Sequence, residues 1–171
     1  HEDTHPSFYL YPGGGGKCFS ACNRYWSPRE LAELLGIQLE DSGSGLTVAE
    51  LAEAKGLPED FLRSKGVTDG VTGTGSGRRP CVDIAYADES GEVKALRKRL
   101  SMDGPSRFIW RRGDKPTLYG LPYLAEIKKK GKVVLVEGET DAWTLWRHRI
   151  PALGVPGAST WKERFRLYFD G

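Results

Sequence analysis

The stretch Lys132-Val-Val-Leu-Val-Glu-Gly-Glu-Thr-Asp141 decides the fold, because it predicts a buried strand that turns directly into a helix. Val133 to Val136 form a short β-branched apolar run, which is typical of a strand buried on both faces. Gly138 permits a sharp backbone turn, and Glu139 to His148 then predict a helix. A second apolar run, Ile150 to Val155, completes the strand, helix and strand of a right-handed βαβ crossover.

Two carboxylates, Glu137 and Asp141, follow the first predicted strand and lie one helical turn apart. Ligands of open α/β sheets bind beyond the carboxyl ends of the strands, so both side chains are predicted to face one small volume. Carboxylate oxygens suit Mg²⁺, which neutralises the charge that develops on phosphate oxygens during nucleotidyl transfer. The alternative is a solvated loop carboxylate at Glu137 and a first-turn Asp141 favoured by the helix dipole.

This segment also resembles a known family. Glu137-Gly-Glu-Thr-Asp141, followed by Gly154-Val-Pro-Gly-Ala158, is similar to the opening of a Toprim domain, the metal-dependent catalytic fold of bacterial-type primases, topoisomerases and some nucleases. The resemblance implies that Glu137 is the catalytic acid that binds Mg²⁺ or Mn²⁺, with Asp141 as its catalytic partner. Glu139 falls at a variable position of the motif and receives no role. A Toprim site also uses an Asp-x-Asp pair after a third strand, which is expected beyond Gly171.

A second motif lies at the amino terminus, where Cys18 and Cys22 follow a glycine-rich turn, as thiolates do in a zinc knuckle. The run from His1 to Phe8 and this cysteine pair resemble the amino-terminal zinc ribbon of bacterial and phage primases. The resemblance implies that Zn²⁺ is bound by His1, Cys18 and Cys22, with a further cysteine expected before His1. Two thiols without a metal are the alternative. Cys81 is predicted to be a small core residue.

The region between the two motifs predicts short helices. Capping-box sequences begin at Ser27 and Thr47, and a third short helix follows Pro58. The amphipathic pattern predicts that these helices form a small unit and use their apolar faces for packing. Binding of a partner is the alternative. The glycine-rich segments 43–45 and 66–77 predict linkers or mobile loops.

Basic side chains concentrate on and after a predicted β-hairpin, whose second strand is Val93 to Leu100. Interleaved with aromatic residues, they are typical of a surface that contacts phosphates and stacks on bases. A solvated sheet face is the alternative. Period-two alternation places Arg97 and Arg99 on one face of the hairpin and Lys98 on the other. The predicted nucleic-acid or nucleotide-binding residues are Arg97, Lys98, Arg99, Arg107 and Arg111.

Composition narrows the class of protein. The chain has 171 residues and a formal net charge of +2, so any nucleic-acid surface has to be local. Three cysteines without a secretory signal argue against a disulfide framework. The absence of a membrane-length apolar run and of a signal peptide predicts a cytoplasmic protein that makes no membrane contact.

The sequence therefore predicts a mixed α/β (α+β) fold. Its parts are a remnant zinc ribbon, a small helical linker, a hairpin-containing basic primase core segment and the first βαβ unit of a Toprim domain. The predicted boundaries of these four regions are residues 1–40, 41–78, 79–130 and 131–171.

The order of the motifs resembles the amino-terminal half of a DNA primase of bacterial, phage or mobile-element type, so the chain is expected to be a fragment. The resemblance implies DNA replication as the process and synthesis of short RNA primers on single-stranded DNA as the reaction. Nucleoside triphosphates would be the substrates, and a fused or recruited replicative helicase a further partner. Two alternatives stay open: a non-catalytic single-stranded-DNA-binding module with a truncated Toprim domain, and a Toprim nuclease or topoisomerase.

Overall fold

The computed structural model describes residues 7–11, 15–20, 22–37, 45–74, 77–104 and 107–169. The chain divides into two units, His1–Gly43 and Ser44–Gly171. Both α-helices and β-strands are present, so the predicted mixed α+β class is confirmed. The finer division into four regions stays a prediction.

The amino-terminal unit carries a three-stranded antiparallel sheet followed by a helix. Ser27 caps this helix through a capping box, in which the Glu30 N–H donates to Ser27 Oγ at 3.3 Å and the Ser27 N–H donates to Glu30 Oε2 at 2.8 Å. The predicted helix start is therefore confirmed. The elements are β1 (Phe8–Leu10), β2 (Gly16–Cys18), β3 (Tyr25–Trp26) and α1 (Pro28–Leu34).

The second unit combines a four-stranded antiparallel sheet, a two-stranded parallel sheet and the helices packed against them. The antiparallel sheet has the strand order β4-β5-β6-β7, with β4 (Val67–Thr72), β5 (Arg79–Ala87), β6 (Val93–Arg99) and β7 (Phe108–Trp110). The parallel pair is β8 (Val134–Glu137) and β9 (Ala152–Val155). The helices are α2 (Val48–Lys55), α3 (Glu59–Ser64), α4 (Leu124–Lys130) and α5 (Glu139–Arg147).

Strands β8 and β9 run parallel and are joined by α5, as the sequence predicts. Their register pairs Glu137 with Val155, which places both strand ends at the same edge. Gly138 follows with φ of 91°, a backbone conformation that favours glycine, and its N–H donates to the Val155 carbonyl at 2.7 Å. This turn aims the amino terminus of α5 at the edge where Glu137 lies.

The prediction that the run from Val133 to Val136 is buried on both faces is wrong. Val134 and Leu135 are 43% and 45% exposed. Within the described residues, β8 pairs with β9 alone, so its other edge and part of its faces are left uncovered. An apolar run indicates a strand, but the neighbouring elements decide how deeply the strand is buried.

The segment 66–77, predicted to be a linker or mobile loop, contains strand β4. Its register with β5 runs from Val67 opposite Ile84 to Thr72 opposite Arg79. Gly70 packs closely against β5, since a Cβ there would lie 2.4 Å from the carboxyl group of Asp83 and would force that side chain to move. Asp69 and Gly70 have low strand propensity, so the sequence did not predict this strand. Pairing with β5 stabilises it.

The main core of the second unit lies between the antiparallel sheet and helices α2, α3 and α5. Cys81 is fully buried in β5, which confirms its prediction as a core residue. Burial, followed by the nearby charge of Asp83, raises the pKa of its thiol to about 11. The largest fully buried side chains include Trp143, Tyr86, Phe165, Leu51, Leu62 and Ile84.

In the described ranges, no helix is long and apolar enough to cross a lipid bilayer.

Candidate functional site

A cavity of about 470 Å³ opens where β8 ends and α5 begins. Both predicted acidic residues, Glu137 and Asp141, line it. Arg97 and Arg99 of β6 and Arg107, just before β7, line it as well. The structure thus brings together the carboxylate pair and three of the five predicted basic residues.

The two carboxylates have no competing partner in the described part of the chain. Glu137 and Asp141 are both exposed, and the structure gives neither of them a hydrogen bond or an ion pair there. They are therefore available to a cation that enters the cavity. No third acidic, histidine or cysteine side chain joins them in a metal-binding cluster among the described residues. Two carboxylates fit Mg²⁺, which keeps several waters and takes its other oxygen ligands from substrate phosphates.

The opposite wall of the cavity is basic. Arg99 is only 4% exposed, and its guanidinium donates to the carbonyl of Ser101 at 3.2 Å and to that of Met102 at 3.1 Å. Burial, followed by the like charge of Arg107, lowers the pKa of Arg99. Among the described residues, no carboxylate lies within ion-pair distance of Arg99 or Arg107. A buried guanidinium without a carboxylate partner favours an incoming phosphate.

Glu139 is the residue that the sequence reasoning missed. It is 3% exposed, and it accepts hydrogen bonds from Tyr86 Oη at 2.5 Å and from Arg97 Nη1 at 2.9 Å. Burial, followed by the charge of Glu139, raises the pKa of Tyr86 well above its usual value. Helical spacing carried a signal for a difference between Glu139 and Asp141, because residues two apart in a helix do not face each other. Both border the cavity, but Glu139 is buried and Asp141 is exposed.

Arg97 is held by aromatic rings as well as by Glu139. Its guanidinium carbon lies 4.2 Å from the ring centroid of Phe108 and 5.5 Å from that of Trp110. Trp110 is also its cross-strand neighbour in β7. Burial opposes the charge of Arg97, but the paired Glu139 and the neighbouring Tyr86 raise its pKa overall. The side chain is therefore a protonated part of the cavity wall that is held in place by its neighbours.

Two of the predicted basic residues lie away from the cavity. Lys98 points to the opposite face of the sheet, where its Nζ lies 2.7 Å from Asp83 Oδ1. Period-two alternation predicted this opposite orientation. Arg111 pairs with Asp114, with Nε and Oδ2 3.0 Å apart. Neither Lys98 nor Arg111 lines the cavity with the others.

Two of the three predicted zinc ligands, Cys18 and Cys22, lie within the described residues. Cys18 is buried in β2 and Cys22 is exposed, whereas His1 lies outside the described residues. Within those residues no three candidate ligands cluster, so the Zn²⁺ site stays a prediction. The same unit exposes tyrosine rings, with Tyr9 and Tyr11 at 5.1 Å and Tyr11 and Tyr25 at 6.0 Å between centroids.

Several solved structures that share this fold are bacterial primases. The zinc-binding and RNA polymerase domains of Aquifex aeolicus primase superpose with a TM-score of 0.51 over 92% of this chain, at 18% identity. The RNA polymerase domain of Mycobacterium tuberculosis primase DnaG gives 0.58 over 77%, at 13% identity. The chain has a primase-type fold. A DnaG catalytic domain bound to single-stranded DNA also matches this primase-type fold, with a TM-score of 0.54 over 77% of the chain, at 18% identity.

Sequence comparison adds one curated relative. The Gene 57 protein of Mycobacterium phage D29 is 38% identical over an alignment of 97 residues, which covers 54% of this chain and 62% of that protein. No family model matches the chain. The chain covers 58% of the Aquifex primase chain and 54% of the Mycobacterium tuberculosis chain, so it spans less than two thirds of the proteins that share its primase-type fold.

Proposed function

We propose that this chain is part of a DNA primase that makes short RNA primers on single-stranded DNA by metal-dependent nucleotidyl transfer. One observation carries the proposal. In a chain with a primase-type fold, Glu137 and Asp141, which have no ion pair among the described residues, share one cavity with Arg97, Arg99 and Arg107. A nucleoside triphosphate needs both a divalent cation and basic side chains for its phosphates, and this cavity offers ligands for each.

The proposed reaction uses the carboxylates on one side of the cavity and the arginines on the other. Glu137 and Asp141 would hold Mg²⁺ or Mn²⁺, which supplies charge neutralisation at the reacting phosphate when bound. Arg99 and Arg107 would bind phosphate oxygens from the opposite side, and the buried position of Arg99 would keep water from competing for its charge. The two walls together would hold the triphosphate in place for attack by a hydroxyl group.

The amino-terminal unit fits a role in template binding. It exposes Tyr9, Tyr11 and Tyr25, and Lys17 lies between Tyr9 and Tyr25 in the register of the same small sheet. Aromatic rings beside basic side chains suit the stacking of unpaired bases. Zn²⁺ on His1, Cys18 and Cys22 would stabilise this unit. A cytoplasmic location and a replicative helicase as partner belong to the same proposal.

Primer synthesis tests the proposal directly. The full-length protein and its Glu137→Gln variant would be compared on single-stranded DNA with labelled nucleotides and Mg²⁺ or Mn²⁺. Loss of a cation ligand should lower primer yield by about 100-fold or more, because the transition-state charge loses its neutralisation. Glu53→Gln, which changes an exposed carboxylate on α2, is the matched control and should keep full activity.

The same assay separates the proposed enzyme from a binding module. Equal primer yields from the wild type and Glu137→Gln would remove Glu137 from the reaction. A wild type that binds single-stranded DNA but makes no primers with either cation would favour the non-catalytic DNA-binding alternative.

A further inference from the structure

The motif Glu137-Gly-Glu-Thr-Asp141 places its three carboxylates in two different environments. All three border the cavity, but Glu137 and Asp141 are exposed, whereas Glu139 is 3% exposed and bonds to residues of β5 and β6. A buried carboxylate is costly unless it is paired and hydrogen-bonded, and Glu139 is both. The carboxylate of Glu139 therefore has specific partners, although the proposed metal chemistry does not use this residue.

The partners of Glu139 lie on the antiparallel sheet. Tyr86 is on β5 and Arg97 is on β6, while Glu139 is the first residue of α5. The bonds of 2.5 Å to Tyr86 and 2.9 Å to Arg97 thus join the start of α5 to the sheet that carries the basic wall. The Nε atom of Arg97 is buried without a hydrogen-bond partner in the described structure, so Glu139 supplies the carboxylate that holds this guanidinium.

We infer that Glu139 is a positioning residue for nucleotide binding, which fixes Arg97 in the cavity wall and sets the distance between the basic wall and the carboxylate pair. The inference rests on the proposed function and deepens it, because it names a residue that acts on the phosphates through another side chain. Without the charge of Glu139, Arg97 keeps its contacts with Phe108 and Trp110 but loses the ion pair that orients its guanidinium.

This arrangement gives the arginines different tasks. Arg97 is paired with a carboxylate, so its charge is partly neutralised and its position is fixed. Arg99 and Arg107 have no carboxylate within ion-pair distance in the described residues, so their charge is available to phosphate. Glu139 therefore controls the geometry of the basic wall while leaving most of its positive charge in place.

A double-mutant cycle tests this coupling. The dissociation constant of ATP with Mg²⁺ would be measured for the wild type, Glu139→Gln, Arg97→Met and the double variant of the full-length protein. Each single change should weaken binding about tenfold, and the double variant should be no weaker than Arg97→Met, because Glu139 acts only through Arg97. In primer synthesis, Glu139→Gln should raise the KM for nucleotide with little change in kcat, whereas Glu137→Gln should lower kcat.

Asp83→Asn is the matched control. It breaks the ion pair between Asp83 and Lys98, a mostly buried pair on the other face of β6, with 16% and 17% of the side chains exposed. This variant should lose stability without a change in ATP affinity. A purely structural role for Glu139 would give the same result as Asp83→Asn, together with additive effects of Glu139→Gln and Arg97→Met.

The outcomes distinguish the inference from the proposed function. A wild type that does not bind ATP with Mg²⁺ overturns both, whereas a wild type that binds ATP and shows additive single changes overturns the inference alone. If Glu139→Gln does not fold, Tyr86→Phe replaces it, since this change removes one hydrogen bond from Glu139 and keeps the charge. A rise of about threefold in the dissociation constant supports the inference, and an unchanged constant overturns it.

Discussion

Asp69 of β4 shows how one exposed carboxylate joins two elements. It accepts a hydrogen bond from the Val48 N–H at 2.8 Å and one from Arg63 Nη2 at 2.6 Å. The bond from Val48, followed by that from Arg63, lowers the pKa of Asp69. Because the folded-state pKa lies below the unfolded value of about 3.9, the stabilisation is fully present above about pH 4. It is lost as the pH falls through the folded-state pKa.

Asp69→Asn should therefore lower the free energy of unfolding at pH 7 by about 1 kcal/mol, a figure kept small by solvent screening. The difference from the wild type should shrink as the pH falls below about 4, because the wild-type carboxyl group then takes up a proton. Urea unfolding at a series of pH values measures this. Glu89→Gln, an exposed change in the turn before β6, should leave the unfolding curve unaltered. A difference for Asp69→Asn that stays constant down to pH 2 would contradict the assignment.

Sequence reasoning at the residue scale succeeded where type and position were enough. Glu137 and Asp141 were predicted to face one volume, and both line the cavity. Cys81 was predicted to be buried and is. The role of Glu139 was missed, because its partners Tyr86 and Arg97 lie 53 and 42 residues away in the chain. No local pattern specifies a pairing of that separation.

At the scale of elements, close backbone packing fixes the strand pair that leads to the cavity. A Cβ on Gly154 of β9 would lie 2.6 Å from the Gly138 carbonyl oxygen and 3.2 Å from Tyr119 Cβ. Tyr119 and Gly154 also exchange backbone hydrogen bonds of 2.8 and 3.0 Å. The backbone therefore cannot move away without breaking a bridge.

Gly154→Ala should lower the free energy of unfolding by about 2 kcal/mol, because overpacking against backbone atoms forces a shift. Gly77→Ala is the matched control, since a Cβ at Gly77 meets nothing within 4 Å. Denaturant unfolding of the two variants measures the difference. Equal midpoints for both variants would show that the β8 and β9 pair tolerates the added methyl group.

The elements differ in how far the sequence predicts them. Helices α1 and α2 begin where their capping boxes place them, because Ser27 and Thr47 bind backbone groups within the same turn. Strand β4 was missed, because it depends on β5 for its register. The exposure of β8 was also missed, since burial is decided by neighbouring elements rather than by the apolar run itself.

At the scale of the whole molecule, a net charge of +2 leaves DNA binding to local surfaces. Arg107 is exposed at the cavity and has no ion pair among the described residues. Lys98 faces the other side of the sheet and is paired with Asp83. The proposed function thus predicts different effects for two cations that are close in sequence.

Arg107→Ala should weaken binding to single-stranded DNA and reduce the slope of log affinity against log salt by about 0.7, the value expected for one lost phosphate contact. Lys98→Ala should leave the slope unchanged. Fluorescence anisotropy with a labelled oligonucleotide across a salt series gives both slopes. An unchanged slope for Arg107→Ala would show that Arg107 is an ordinary solvated side chain that makes no phosphate contact.

The general architecture was predictable because two motifs occur in a fixed order along the chain, one with a cysteine pair and one with a strand, turn and helix. The convergence of β6, β7 and α5 on one cavity was not, since it depends on the sheet order and on contacts between distant segments. The basic residues were predicted as a group, and strand alternation separated only Lys98 from the others. The structure adds that Arg111 is paired with Asp114 and lies away from the cavity that Arg99 and Arg107 line.

The register of β8 against β9 carries a consequence for natural variation. Glu137 faces the cavity because it lies opposite Val155 at the strand end, and side chains alternate along a strand. Loss or gain of a single codon between Val133 and Val136 would turn that carboxylate toward the other face, even if the run stayed entirely apolar. Functional relatives should therefore keep the length of this strand constant while its apolar residues exchange freely with one another.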